Sequence, residues 1–233
     1  AEQIISDLLQ KYPGCRIRTD FPRPPRELVE LFRGVPVANI DDCMNRMAAI
    51  DAAIRPLNAA PLLGTAFTVK VAEGDNLMFH KAMDMAQPGD VFMIDAGGCT
   101  ERSIFGELML TYCKVRGVAG VVVDGAVRDA GAIAGMDLPV YARGVTPNGP
   151  YKNGPGEINY PISLGGVIVN PGDIVVGDAD SVLVIRPGEA GDLAKAARAV
   201  VEKEASIMAG ILKGEYPRPW VDAKLRELGC AVE

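Results

Sequence analysis

Two nearly continuous apolar runs constrain this chain more than any other feature: "DVFMIDAGG" at residues 90–98 and "VAGVVVDG" at 118–125. A strand with one wet face alternates apolar and polar residues. A strand that does not alternate must be covered on both faces. Between the two runs lies "FGELMLTYCKVRG" (105–117), which has helical spacing. Buried strands alternating with helices predict a parallel sheet, with ligands gathering at the carboxyl ends of its strands. "GTAFTVKV" (64–71) predicts another strand. After it, Asp75 or Asn76 caps a helix carrying Leu77, Met78, Ala82 and Met85, and Pro88-Gly89 ends that helix. "VPVANIDD" (35–42) reads as a strand, and "DCMNRMAAI" (42–50) as a helix capped by Asp41 or Asp42.

The pattern changes after Pro139. "LPVYARGV" and "GGVIVNPGDIVVGDADSVLVI" have strand composition without intervening helices, so a second, mainly antiparallel β-layer is predicted. Part of 139–165, rich in Gly, Pro and Asn, is expected to be an extended loop. A leading helix (1–12), a proline-rich connector in which Pro24 and Pro25 open a short helix, a long helix from Glu189 to Leu212 and a short last helix complete the reading. The expected organisation is an N-terminal helical extension (1–34), a core (35–190) and a C-terminal helical extension (191–233) packing on a neighbouring subunit.

Composition narrows the chemistry. The net charge of −6 argues against nucleic acid or an anionic membrane as partner. No apolar stretch reaches the ~18 residues of a membrane span. No basic segment followed by an apolar run opens the chain, and its five cysteines form no CxxC pair, so a cytoplasmic protein with reduced thiols is expected. His80 is the single histidine, which rules out a zinc site with two or three His from one chain. Any metal would rest on carboxylates and waters, which suits Mg²⁺ or Mn²⁺.

Two strand ends concentrate the remaining chemistry: "DAGG" (95–98) followed by "GEL" (106–108), and "DGAVRD" (124–129). Twenty residues separate Glu107 from Arg128, room for one helix and one strand to bring them back together. Gly106 lets backbone turn or a ligand approach closely. With a helix starting near Gly106, the amides of Leu108 and Met109 lack intrahelical acceptors and favour an anion. Arg128 offers a planar fork to that anion or to an enolate oxygen, and Asp129 is a hard oxygen ligand. Glu107 is placed to hold metal-bound waters. Such a set suits a 2-keto acid. Taken alone, Arg128-Asp129 is read more simply as a helix cap or a salt bridge; the Glu107 spacing and the glycines shift that balance.

The Glu107-x20-Arg128-Asp129 pattern, preceded by "PGDVFMIDAGG" and followed by "PGDIVVGDADSVLVI", resembles the class II 4-hydroxy-4-methyl-2-oxoglutarate / 4-carboxy-4-hydroxy-2-oxoadipate aldolase family. That family is related to the regulator of ribonuclease E activity A. The resemblance runs from about residue 35 to 190. It implies an α/β fold, a β/β/α three-layer sandwich like the phosphohistidine swivelling domain, in trimers or hexamers with sites between subunits. It also implies that Asp129 binds Mg²⁺ or Mn²⁺ directly and Glu107 through water. Arg128 would hold the pyruvyl oxygens, and Leu108 and Met109 amides the carboxylate, beside Gly106 and Gly98. The first position is often Asp in relatives; the extra methylene of Glu107 suits a water-mediated contact. An acidic residue of the C-terminal helix, Glu204 in preference to Glu202, would come from a neighbouring subunit. The implied reaction is retro-aldol cleavage in aromatic-compound catabolism, with oxaloacetate decarboxylation as a side activity. Water activated by the metal takes the C4 hydroxyl proton, and a pyruvate enolate departs.

Other readings compete. A protein-binding regulator of an RNA-degrading enzyme needs a partner surface and no loaded metal site. A methyltransferase lacks its GxGxxG-like nucleotide loop. Lys70 invites a Schiff base, although a solvated strand face explains it more simply. His80 reads as a packed side chain. The basic residue that reads the far end of the substrate is open among Arg16, Arg18, Arg143, Lys152 and another chain. Asp124 has no assigned role.

Overall fold

The structure is a computed structural model describing residues 14–231, so the helix expected over 1–12 lies outside the described residues. In chain order, β1 (Cys15–Ile17), α1 (Arg26–Glu30), α2 (Val37–Cys43) and β2 (Arg55–Pro56) lead into β3 (Leu62–Val71). There follow α3 (Leu77–Met85), β4 (Asp90–Asp95), α4 (Glu107–Val115), β5 (Gly120–Val127), α5 (Ala130–Ala134) and β6 (Val140–Val145). The short strands β7 (Gly156–Ile158), β8 (Ile162–Leu164), β9 (Val167–Val169), β10 (Ile174–Gly177) and β11 (Val182–Ile185) precede α6 (Ala190–Leu212) and α7 (Pro219–Glu227).

The fold is mixed α/β around one large sheet of order β1-β7-β3-β4-β5-β6-β2, with β10 on β3 and β11 on β10. Strands β3, β4, β5 and β6 run parallel. Every residue of β4 and β5 is buried, as their unbroken apolar runs require. The pleat splits them between two cores. Phe67, Phe92, Ile94, Val121 and Val123 pack with Phe79 and Ala82 of α3 and Leu110 of α4. Their neighbours Ala66, Val91, Met93 and Val122 face the β8–β9 hairpin through Ile162, Leu164 and Val169. Each Val, Leu, Ile, Phe or Met among them, fully buried, stabilises by about 1.5–3 kcal/mol. A third cluster seats α1, α2 and α6 on β10 and β11, with Ala190, Ala194 and Ala197 as the buried stripe of α6. No helix among the described residues is long and apolar enough to cross a membrane.

Three local expectations are corrected. "VPVANIDD" is not a strand: Pro36 precedes α2, and Val37 and Ile40, three apart, bury one helical face against β11 and α6. The helix expected over 42–50 is instead a turn, because Asn45 and Arg46 both take positive φ and Asp41 accepts the Ala48 amide. Strand β6 does not belong to an antiparallel layer. It extends the parallel sheet beside β5, since Val140 and Ala142 fill one core and Tyr141 the other. Within residues 1–34, Cys15–Ile17 is a strand paired parallel with β7.

Candidate active site

The site is built where β5 runs out. Strand β5 ends at Val127, and Asp129 then adopts a left-handed conformation, φ 61° and ψ 36°, at the start of α5. That region costs most L-residues about 1–2 kcal/mol; Asp and Asn are the side chains that visit it most readily. The turn aims the Asp129 carboxylate at the start of α4, where Oδ2 accepts the Glu107 amide at 2.9 Å. The segment before α4 runs alongside the same strand end. Ile104 N donates to the Ala126 carbonyl at 2.8 Å, and Arg128 N to the Phe105 carbonyl at 3.0 Å.

Gly106 is needed here for space. Its backbone is extended, but a Cβ would stand 2.2 Å from Asp129 Oδ2 and 2.8 Å from Arg128 Cγ. At the first turn of α4, Asp129 satisfies the Glu107 amide and Gly106 O the Leu110 amide. The Leu108 and Met109 amides find no acceptor among the described residues. Two free donors at the positive end of a helix dipole favour an anion.

These groups border a cavity of about 360 Å³, which Gly106, Leu108, Met109, Arg128, Asp129 and Lys152 help to line. Arg128 Nε lies 3.8 Å from Asp129 Oδ2, and the two side chains are 46% and 42% exposed. A pair that long and that wet is weak, so both groups remain free to meet a ligand. Asn76 also lines the cavity. Its Nδ2 donates to the Ile104 carbonyl at 2.8 Å, which fixes the amide's orientation, and its buried Oδ1 has no donor among the described residues. Beside it, burial holds the His80 imidazole below its ordinary pKa; Lys152 adds to this and Asp84 opposes it.

The donor set fits a hard divalent cation. Asp129 supplies one carboxylate at the cavity, Glu107 follows with an exposed side chain at the start of α4, and no group of three His, Cys, Asp or Glu suited to a metal occurs among the described residues. Mg²⁺ takes one or two carboxylates and keeps several waters, whereas a structural zinc site fills four positions with protein ligands.

The structure therefore brings together Gly106, Leu108, Met109, Arg128 and Asp129, while Glu107 is joined to them by its backbone amide, its side chain being exposed and outside the cavity lining. It does not bring Gly98 or Glu204 of the same chain into the cavity lining. Gly98 N donates to the Asp124 carbonyl at 2.9 Å, and Gly98 sits against Asp124 and Arg143. Glu204 Oε2 accepts from Asn39 Nδ2 at 2.6 Å, tying α6 to α2. Lys70 pairs at 3.7 Å with Asp95 on the neighbouring strand. Asp124 now has a role: it accepts from Arg143 Nε at 2.5 Å and from Gly165 N at 3.0 Å, pinning the β8–β9 turn to the sheet. Asp75, not Asn76, takes the Leu77 amide at the start of α3, at 2.9 Å. Sequence reasoning offers Asn76 as a helix cap; its place in the cavity wall depends on Ile104, a partner 28 residues away.

Comparison with known proteins places the chain in a family. A Halalkalibacterium halodurans protein named "Putative 4-hydroxy-4-methyl-2-oxoglutarate aldolase" is 44% identical over 181 residues, 77% of this chain and 86% of the relative. Among solved structures, an uncharacterised Pseudomonas syringae protein shares the fold, with a TM-score of 0.74 at 21% identity, covering 83% of this chain and 96% of that one. The RNA-processing inhibitor RraA of Thermus thermophilis aligns with a TM-score of 0.60 at 27% identity, over 64% of this chain and 92% of its own. Residues 37–184 match the RraA-like family, described as Aldolase/RraA, and they hold the whole of the Gly106–Asp129 constellation: the chain belongs to the RraA-like family.

Proposed function

We propose that the protein is a divalent-metal-dependent pyruvate aldolase. Its substrates would be 4-hydroxy-4-methyl-2-oxoglutarate, 4-carboxy-4-hydroxy-2-oxoadipate, or both. The observation that carries this reading is the convergence of two acceptor-free amides, the Arg128 guanidinium and the Asp129 carboxylate on one small cavity, with Glu107 joined to Asp129 through its amide. The Leu108 and Met109 amides would receive the C1 carboxylate. Arg128 would lie against the keto oxygen and meet negative charge as the enolate develops, so its contribution is largest in the transition state. Asp129, with Glu107 behind water, would hold Mg²⁺ or Mn²⁺, which when bound supplies Lewis-acid polarisation of the keto oxygen.

The proton of the C4 hydroxyl would leave through water to a carboxylate, Glu107 in this chain. The C3–C4 electron pair then flows into the enolate, and protonation at C3 gives pyruvate. The other half leaves as pyruvate or oxaloacetate. Decarboxylation of oxaloacetate would use the same enolate pocket. Glu204 can serve only across copies in this scheme, within a trimer or hexamer, because it does not line the cavity of its own chain.

The test is pyruvate release from both aldols and from oxaloacetate, with Mg²⁺ or Mn²⁺ and with EDTA. Turnover that survives EDTA, or borohydride trapping of a lysine adduct, sinks the metal-dependent reading. A second reading, a protein-binding regulator of RNA processing, draws on the Thermus neighbour. It predicts no turnover with any metal and inhibition of a ribonuclease that Asp129→Ala leaves intact.

A further inference from the structure

Strand β5 does not reach the site in one regular run. Against β6, Val123 pairs with Ala142 and Ala126 pairs with Gly144, so three steps along β5 match two along β6. The extra residue is taken up at Asp124–Gly125 as a bulge. A bulge bends its strand, sharpens the local twist and re-aims the side chains that follow. Here those that follow include Arg128 and Asp129.

Three elements hold that irregular step. From β6, Arg143 Nε donates to the buried Asp124 carboxylate at Oδ1, 2.5 Å away, and Asp51 holds the same guanidinium from its other side at 2.9 Å. From the β8–β9 turn, Gly165 N donates to Oδ2 at 3.0 Å. From the chain leaving β4, Gly98 N donates to the Asp124 carbonyl at 2.9 Å. At Gly125 a Cβ would stand 2.9 Å from Ala96 Cβ and 3.3 Å from the Cys99 carbonyl oxygen, so the bulge is packed against that same chain. Beyond it β5 changes partner. Its pairing with β4 ends at Asp95–Asp124. Ala126 N then donates to the Cys99 carbonyl at 3.1 Å, and Thr146 N to the Val127 carbonyl at 2.9 Å. With the Ile104 and Arg128 bonds described above, both edges of residues 126–128 are fixed, and the bulge sets the direction in which they leave the sheet. A buried ion pair placed for stability alone could sit at any step of the strand; this one sits on the irregular step before the site. Asp124 itself does not line the cavity, so its influence on the site runs through the backbone.

We propose that Asp124, gripped by Arg143, is a positioning residue: it holds the β5 bulge in register and so aims Arg128 and Asp129 into the cavity. Its consequence for turnover rests on the aldolase reading above. Asp124 touches no reactant and takes no proton; it fixes where the guanidinium and the carboxylate four and five positions on come to lie.

The experiment measures pyruvate release from 4-hydroxy-4-methyl-2-oxoglutarate with Mg²⁺ for wild type, Asp124→Asn, Arg128→Ala and the double variant. Backbone amide exchange is followed by NMR on the same proteins without metal. Asp124→Asn keeps the shape of the side chain and removes the charge that Arg143 grips. Its kcat is expected to fall about 10- to 100-fold, the scale of a ~1 Å displacement at reacting groups. In the Arg128→Ala background the same change costs clearly less, because the two residues act as one unit. Single losses that multiply in the double variant, or an unchanged kcat in Asp124→Asn, overturn the proposal. The Ala126 and Arg128 amides should exchange faster in Asp124→Asn, while those of Phe92 to Ile94 in β4 keep the wild-type rate. Acceleration spread evenly over the sheet, or none at Arg128, also overturns it. Arg143→Met removes the other half of the pair and should give the same pattern, which decides the matter if Asp124→Asn does not fold. A wild type that neither releases pyruvate nor exchanges pyruvate methyl protons with D₂O sinks the aldolase reading instead, and the amide exchange still reads the bulge.

Discussion

At the residue scale, Asp129 does three things from one conformation. It occupies the left-handed region, caps the Glu107 amide and leaves its carboxylate at the cavity. Asp129→Asn keeps the conformational preference and the acceptor but removes the charge. Its unfolding free energy is expected within about 0.5 kcal/mol of wild type, while metal-dependent pyruvate release falls on the order of 10²–10³-fold. Equal turnover with and without the charge would remove Asp129 from the metal site. Gly106→Ala tests space: its methyl group collides with Asp129 Oδ2 and Arg128. A destabilisation of about 1–3 kcal/mol is expected from such overpacking, with turnover lost along with the displaced carboxylate.

His80 offers a pH signature on the same scale. Burial, helped by Lys152, lowers its pKa in the folded state. Between that lowered value and the ordinary one near ~6.5, the unfolded chain binds more protons than the folded one. The stability is therefore present above the unfolded value and is lost as pH falls through the folded value. Denaturant midpoints should drop more steeply on acidification for wild type than for His80→Gln. As the only histidine, His80 also gives an unambiguous imidazole titration by NMR.

At the element scale, the site depends on the pairing of β4 with β5 and on the return of α4 between them. The amino end of β4 is anchored by a buried charge. Asp90 is 1% exposed, and Arg23 meets it with two bonds at 2.8 and 2.9 Å. Gln87 N adds a third at 2.8 Å. Arg23→Ala would strand that carboxylate, so a loss of about 3 kcal/mol in urea unfolding is expected. A loss under about 1 kcal/mol would mean that water replaces the guanidinium at little cost. This contact joins residues 67 positions apart, and neither proline-rich connector nor strand announces it.

At the scale of the whole molecule, α6 departs from the body. Its buried residues are Ala190, Ala194 and Ala197, while Met208, Ile211 and Leu212 further along are exposed. The proposal that Glu204 serves a neighbouring copy predicts complementation. Asp129→Ala and Glu204→Ala copies, each inactive alone, should regain part of the activity when assembled together. Recovery that fails in a confirmed mixed oligomer would confine Glu204 to its contact with Asn39.

The sequence by itself determined the parallel core and half of the site. Unbroken runs such as Val121–Val123 can be satisfied only by cover on both faces, and the Glu107–Arg128 spacing follows from the length of one helix and one strand. Both are local properties, readable along the chain. It misread residues 35–50, where Val37 and Ile40 fit a strand by composition and became a helix because β11 and α6 offered a surface for one helical face. It also left Asp124 without a role, and it could not tell that Arg16 and Arg143 are committed to carboxylates. Those decisions belong to the tertiary structure, because a charged side chain is free or committed according to which carboxylate the fold brings within reach. The Arg16–Glu157 and Arg143–Asp51 partners are 141 and 92 residues away in sequence.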